Sequence, residues 1–306
     1  MRCFHSWRWF ALCIFGLTVM SASLGRPADD GNAAAGPARK AQAQTIRIGA
    51  VAYSPGVVTV FEDLRRYFDR NGLRTDYTLY SNYDSLVEAL EQGNVDIAWN
   101  TPLAHARYQR LCGNTGQTLV MRDVDCGFRS KLIVRKDAGI HRLADLYGKT
   151  LVLGSHDAAE ATVLPVYFLK REGLDFERLT VLSLDHEVDL RGNPCSSELH
   201  VLKALQDGRG QAGVIGERLW RRLSAKNPAE CEALQDLWTS PPFSHCVFTA
   251  RKECDRASAS RFTELMLSMK CDDPLTAELM RLEGTNQWVA GGDEGFETLL
   301  QALDEE

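Results

Sequence analysis

Strand-like and helix-like segments alternate along nearly the whole chain after residue 45, and this alternation restricts the fold more than any other feature. Residues 46–52 read as a strand, 57–70 as an amphipathic helix and 75–80 as the next strand. Residues 85–92 read as a helix, with Ser85 and Glu88 spaced as a capping box. Residues 93–102, Gly-Asn-Val-Asp-Ile-Ala-Trp-Asn-Thr-Pro, then give a helix stop, a short buried strand over 95–99 and a new helix. Thr101 is placed to cap that helix and Pro102 to occupy its first position. Strands follow at 131–135, 150–154, 179–184 and 211–215. Helices are expected at 159–172, 198–207, 217–226, 257–269, 274–282 and 294–303. Regular alternation implies an α/β chain with parallel strands covered on both faces. Ligands of such sheets sit at the carboxyl ends of strands, where Asn100 and Thr101 stand, although most strand–helix junctions bind nothing. There is no internal repeat and no coiled-coil heptad.

The first 44 residues differ from the rest. Arg2 and Arg8 precede an apolar run from Phe10 to Met20 and then Ser21-Ala22-Ser23, the layout of a secretory signal peptide over 1–23. The apolar run is shorter than the roughly 20 residues a membrane-spanning helix needs. Residues 24–44 are rich in Ala, Gly and Pro and read as a disordered linker. The chain carries −6 overall, and five basic against two acidic residues within 1–44 leave −9 on the remainder. That acidic surface argues against nucleic acid as a partner. Of nine cysteines, seven fall after residue 44. For an exported chain, proximity in sequence suggests bridges Cys112–Cys126, Cys231–Cys246 and Cys254–Cys271, with Cys195 left over. No C-x-x-C pair supports a zinc site.

The run GNVDIAWNTPLAHAR resembles a segment of the phosphate/phosphite/phosphonate-type solute-binding proteins of ABC transporters. So do SKLIVRKDAGIHRLADLYGKTLVLGSHD, ATVLPVYFLKREGL and LWTSPPFSHCVFTARK, in the same order and with similar spacing. The resemblance implies a two-lobed type II periplasmic binding fold: two open mixed sheets flanked by helices, a central cleft and two crossing strands. Lobe 1 would comprise 45–130 plus 240–306 and lobe 2 would comprise 131–239, with crossings near 129–131 and 240–244. Ligand would bind between the lobes, which close about it as on a hinge.

Four loops are then expected at the cleft. Tyr53 and Ser54 follow the first strand, where Ser-Pro-Gly is also ordinary turn chemistry. Asn100 and Thr101 form the second, with Trp99 read as core; the family often has Tyr where Asn100 stands. The third runs through Ser155, His156, Glu160 and Thr162. The resemblance aligns Ala158-Ala159-Glu160 with a Ser-Thr-Ser run that holds the anion in phosphonate binders. Here a carboxylate replaces the hydroxyls, unless Asp157 and Glu160 merely cap the helix. The fourth contains Ser197 and Glu198, with Glu198 near a family His and Ser197 equally suited to an N-cap. Glu217 and His245 align near acids that bind a ligand amine in the aminophosphonate binder. Two acids at anion-binding positions make phosphate an unsuitable tight ligand and favour a zwitterionic, cationic or neutral one.

These features describe a monomeric exported receptor that hands a small polar solute, phosphonate-like or a related organic compound, to a membrane permease. It would need no cofactor and no metal. A subunit feeding a membrane sensor would look identical in sequence. An enzyme on the same fold is unsupported, because G-x-S-x-G, a P-loop and H-E-x-x-H are all absent. Metal capture would draw on His156, Asp157, Glu160, His186, Glu187, Glu198 and His245, which more often are simply solvated.

Overall fold

The computed structural model describes residues 45–184 and 197–305. The expected signal peptide and linker, Cys3, Cys13, Cys195, His186 and Glu187 lie outside the described residues. The chain runs β1 (Ile46–Val51), α1 (Val57–Arg70), β2 (Thr75–Tyr80), α2 (Tyr83–Glu91), β3 (Ile97–Asn100), α3 (Pro102–Leu111) and β4 (Gln117–Arg122). Next come β5 (Ser130–Arg135), β6 (Thr150–Leu153), α4 (Leu164–Arg171), β7 (Thr180–Ser183), α5 (Ser197–Gln206), β8 (Ala212–Gly216), α6 (Glu217–Lys226), α7 (Pro228–Cys231) and β9 (Leu234–Thr239). β10 (Val247–Ala250), α8 (Arg256–Ser268), α9 (Ala277–Glu283), β11 (Trp288–Ala290) and α10 (Phe296–Asp304) complete it.

Helical spacing of apolar residues drives the longer helices onto the sheets. In α1, Val57, Val60, Phe61, Leu64, Tyr67 and Phe68 are all buried, on one stripe. The opposite face carries ion pairs of Arg65 with Glu62 and Asp69, and Gly72 ends the helix with φ 77°. α2 begins two residues before the expected start, and the capping box is not its cap. Asn82 Oδ1 instead accepts from the Ser85 N–H at 2.8 Å. β1 lies between β2 and β3, so Gly49 is closely packed: a Cβ there would stand 2.6 Å from Leu86 Cδ1.

Two sheets result. One is ordered β11-β4-β10-β3-β1-β2 and the other β7-β6-β8-β5-β9. Pairing is parallel for β1 with β2 and β3 and for β6 with β7 and β8. It is antiparallel for β10 with β3 and β4, for β11 with β4, and for β5 with β8 and β9. The sheets are therefore mixed, and alternation alone, which implied parallel pairing, missed β4, β9, β10 and β11. Two of those are only four and three residues long, too short to display a period, and β9 is largely half-exposed.

The five-stranded sheet is contiguous in sequence, whereas the other collects strands from both sides of it. The chain passes between them twice along one antiparallel ribbon. Phe128 and Phe243 exchange both backbone hydrogen bonds at 2.8 Å, and Ser240 N–H donates to Ser130 C=O at 2.9 Å. Ser240 Oγ accepts the Ser130 N–H at 2.9 Å. Each sheet has apolar clusters on its own faces. A further cluster joins Ala106 of α3, Leu164 and Tyr167 of α4, and Leu299 and Ala302 of α10, so the last helix packs against elements of both sheets. Tyr167 OH donates to Gln301 at 3.0 Å across that seam.

The expected disulfides are not formed. Cys112, Cys126, Cys231, Cys246, Cys254 and Cys271 are all free thiols. Their elements keep the intended partners in different settings. Cys112 ends α3 and bonds back to Gln109, while Cys126 is exposed. Cys254 is buried in the core under β1, whereas Cys271 is exposed. Cys231 is buried in α7, whereas Cys246 is only partly buried and lies against the His245 ring nitrogen.

Candidate functional site

The carboxyl ends of β1 and β3 and the amino ends of α2 and α3 face the loop between β6 and α4. They enclose a cavity of about 650 Å³. From the six-stranded side come Tyr53, Asn82, Tyr83, Thr101 and Arg107; from the other come Ser155, His156, Asp157, Glu160 and Ser197. His245, just before β10, completes the wall. Thr101 caps α3 as expected, its Oγ1 accepting the Ala104 N–H at 3.3 Å.

The turn expected to be capped by Asp157 and Glu160 is built differently. Ala159–Val163 forms a π-helical turn, Ala158 is the cap residue, and no side chain caps it. Glu160 instead reaches across to the other sheet, its Oε2 lying 3.3 Å from His245 Nε2. Its backbone carbonyl accepts from Ser130 Oγ at 2.6 Å, tying the turn to the ribbon between the sheets. Single π turns of this kind occur frequently at functional sites.

His245 joins Glu160 to a larger network. Its Nδ1 lies 3.3 Å from Asp125 Oδ1 and 3.2 Å from Cys246 Sγ, and its ring stacks on Phe128 at 4.6 Å. Asp125 is fully buried and accepts from Arg122 Nε at 2.5 Å and Nη2 at 2.9 Å. Arg122 also donates to the Glu283 carboxylate at 3.3 Å, and Tyr53 OH donates to the same carboxylate. Burial opposes charge on His245, yet the neighbouring thiol and the Asp125 and Glu160 carboxylates outweigh it and hold the imidazole well above its ordinary range. Burial likewise opposes ionisation of Glu160. The bond and charge of His245, with the residue's own N–H, overcome it and keep the carboxyl below its usual value. For Glu283 burial dominates and raises the carboxyl despite Arg122.

The remaining expected residues lie elsewhere. Ser54 is exposed in the turn before α1, its carbonyl accepting from Val57. Asn100 is buried inside the sheet, donating to Thr249 Oγ1 at 3.1 Å. Thr162 points its Oγ1 into a buried position with no partner. Glu217 pairs with Arg221 at 2.9 Å and stands 4.0 Å from Lys131. Glu198 Oε1 accepts the Gly216 N–H at 2.6 Å and faces a second cavity of about 390 Å³, which shares His245 with the first. Gly216 is required there, because a Cβ would meet Glu198 Oε1 at 2.6 Å and Phe128 at 2.7 Å. Arg122, Asp125, Tyr83 and Glu283 escaped the sequence reading. Arg122 ends a strand that had no visible period, Asp125 follows it, and Glu283 enters only through the far end of α9.

Asp125, His245 and Cys246 offer carboxylate, imidazole and thiol donors within 4.8 Å of one another, the one such metal-ligand group among the described residues. Arg122 already holds both Asp125 oxygens, which makes this set better suited to an internal charge network than to a cation. Of the acids and histidines first considered for metal capture, His156, Asp157, Glu160 and His245 line the first cavity, but among the described residues no three of them bring ligand atoms within 4.8 Å of one another.

The profile of a family described as ABC transporter, phosphonate, periplasmic substrate-binding protein matches residues 51–296. The chain belongs to that family. As one of these periplasmic substrate-binding proteins, it is a solute receptor that delivers its ligand to an ABC permease. Solved structures share its two-lobed type II binding fold. PhnD1 of Prochlorococcus marinus in complex with methylphosphonate is 14% identical with a TM-score of 0.65, over 85% of this chain and 97% of that one. A Xanthomonas citri protein bound to ATP is 17% identical with a TM-score of 0.65, over 85% and 97%. The binding-protein component of an ABC phosphonate transporter from Pseudomonas aeruginosa is 15% identical with a TM-score of 0.57, over 85% and 84%. No curated protein sequence matches significantly.

Proposed function

We propose that this substrate-binding protein captures its solute in the cavity of about 650 Å³ between the sheets. Tyr53, Thr101 and His245 would contact it from lobe 1, and Ser155, His156, Glu160 and Ser197 from lobe 2. The lobes are assigned as 45–130 plus 240–306 and 131–239. The convergence of polar side chains from two sheets on one cavity supports this most, since a ligand touching both would favour their approach. The side chains of Asn100, Thr162 and Glu217 support the walls rather than touch the solute. The protein acts as a monomer without turnover of its ligand, and no nucleic acid takes part.

A thermal-shift screen of small phosphonates, sulfonates and amines, followed by small-angle scattering with each hit, tests the reading. Binding stabilises by RT ln(1 + [L]/Kd), so a true ligand is detectable at modest excess. Compaction that is lost in a Tyr53→Ala, His156→Ala variant is expected. A ligand that binds equally well to that variant, without compaction, overturns the cleft assignment. Export follows from the basic and apolar start of the chain. The mature protein should begin between residues 23 and 45, and N-terminal sequencing that found Met1 would refute it.

A further inference from the structure

We propose that the cleft takes a positively charged organic solute rather than a phosphonate-like anion, because the fold already pairs Arg107 and His245, two cations that line it, with carboxylates of its own. The inference rests on the cavity being the ligand site. Of the cations facing it, Arg107 is held by Asp84 at 2.7 Å. His245 is held by Glu160 and Asp125, each at 3.3 Å. Arg122, directly behind, is divided between Asp125 and Glu283. His156 is also engaged in an interaction of its own.

The carboxylate left over is Asp157. It is exposed on the cavity wall and has no ion-pair partner among the described residues. Beside the same cavity stand the rings of Tyr53 and Tyr83, surfaces to which an ammonium group is drawn. An incoming anion would have to expel Glu160 from His245, whereas a cation meets Asp157 and two aromatic rings with nothing to displace. Glu160 thus acts as a resident anion: it completes the charge of the site and excludes ligands of its own sign.

Calorimetry on the 45–306 protein tests this with tetramethylammonium, choline and spermidine as cationic probes and methylphosphonate as the anionic one. At least one cation should bind and lose about tenfold in affinity on Asp157→Asn. Methylphosphonate should not bind the unmodified protein and should bind after Glu160→Ser frees His245. Glu160→Gln, isosteric and uncharged, gives the same gain if the serine variant fails to fold. The proposal falls if none of the three cations binds, if Asp157→Asn leaves their affinity unchanged, or if neither Glu160 variant gains methylphosphonate. It falls as well if the unmodified protein binds methylphosphonate; should that binding bring compaction in scattering, the receptor reading would survive intact.

Discussion

His105 on α3 is 1% exposed, with Nδ1 2.7 Å from the Thr249 hydroxyl that also accepts from Asn100. Burial pushes its pKa down to about 4, so the folded protein keeps the ring neutral while an unfolded chain protonates it near 6.5. The sign follows directly. Between those values the unfolded state binds the extra proton, so stability is complete above about pH 6.5 and declines as pH falls toward 4. The contribution at stake is at most about 3 kcal/mol. Urea unfolding at a series of pH values should show this decline, and His105→Gln should flatten it. An unchanged slope in the variant would mean that His105 does not titrate on unfolding. Asp96, held below its usual range against burial by Arg47 and Arg251, loses its contribution only at lower pH, as its folded value is crossed.

At the scale of elements, α3 illustrates what the sequence makes legible. Thr101 and Pro102 mark its start, and both occupy the places their chemistry requires. Thr101→Ala should cost about 1 kcal/mol in denaturant unfolding, while Thr101→Ser, which keeps the acceptor, should cost little. Helices α1 and α6 coincide with their expected spans because each shows a sustained 3.6-residue stripe. The short antiparallel strands gave no such signal, and only the family resemblance implied mixed sheets. The Glu160 turn shows the limit most clearly. Asp157-Ala-Ala-Glu160 satisfies the local rule for a capping box, but His245, 85 positions away, offers a buried carboxylate a better partner. Local pattern reading cannot weigh a competitor that only tertiary structure brings near. The same blindness explains why Arg122, Asp125 and Glu283 were missed, although Tyr53, Thr101, His156, Glu160 and His245, named from the sequence, do line the cavity.

For the molecule as a whole, the pair between Glu160 and His245 links the two sheets, and its strength should follow pH from both sides. His245 is raised, so its contribution is complete below about pH 6.5 and disappears as pH rises through the folded value. Glu160 is lowered, so its contribution is present above its unfolded value and disappears as pH falls through the folded one. Scattering from the unliganded protein should therefore show the smallest radius of gyration in mildly acidic buffer and expansion in strongly alkaline buffer. His245→Gln should remove the alkaline expansion; identical profiles for both proteins would mean that the pair does not restrain the lobes.

The strands from β5 to β9 leave and rejoin the rest of the chain side by side, Lys131 lying opposite Thr239. A stretch with adjoining ends is a natural unit of genetic exchange: two crossovers in related genes would transplant it without disturbing the other sheet. Such an exchange would carry Ser155, His156, Glu160 and Ser197 away while leaving Tyr53, Thr101 and His245 behind. Recombination could thus change half of the proposed binding wall in one event. The bond between Glu160 and His245 ties those halves together, so only donors that bring a compatible residue at position 160 would yield a working hybrid.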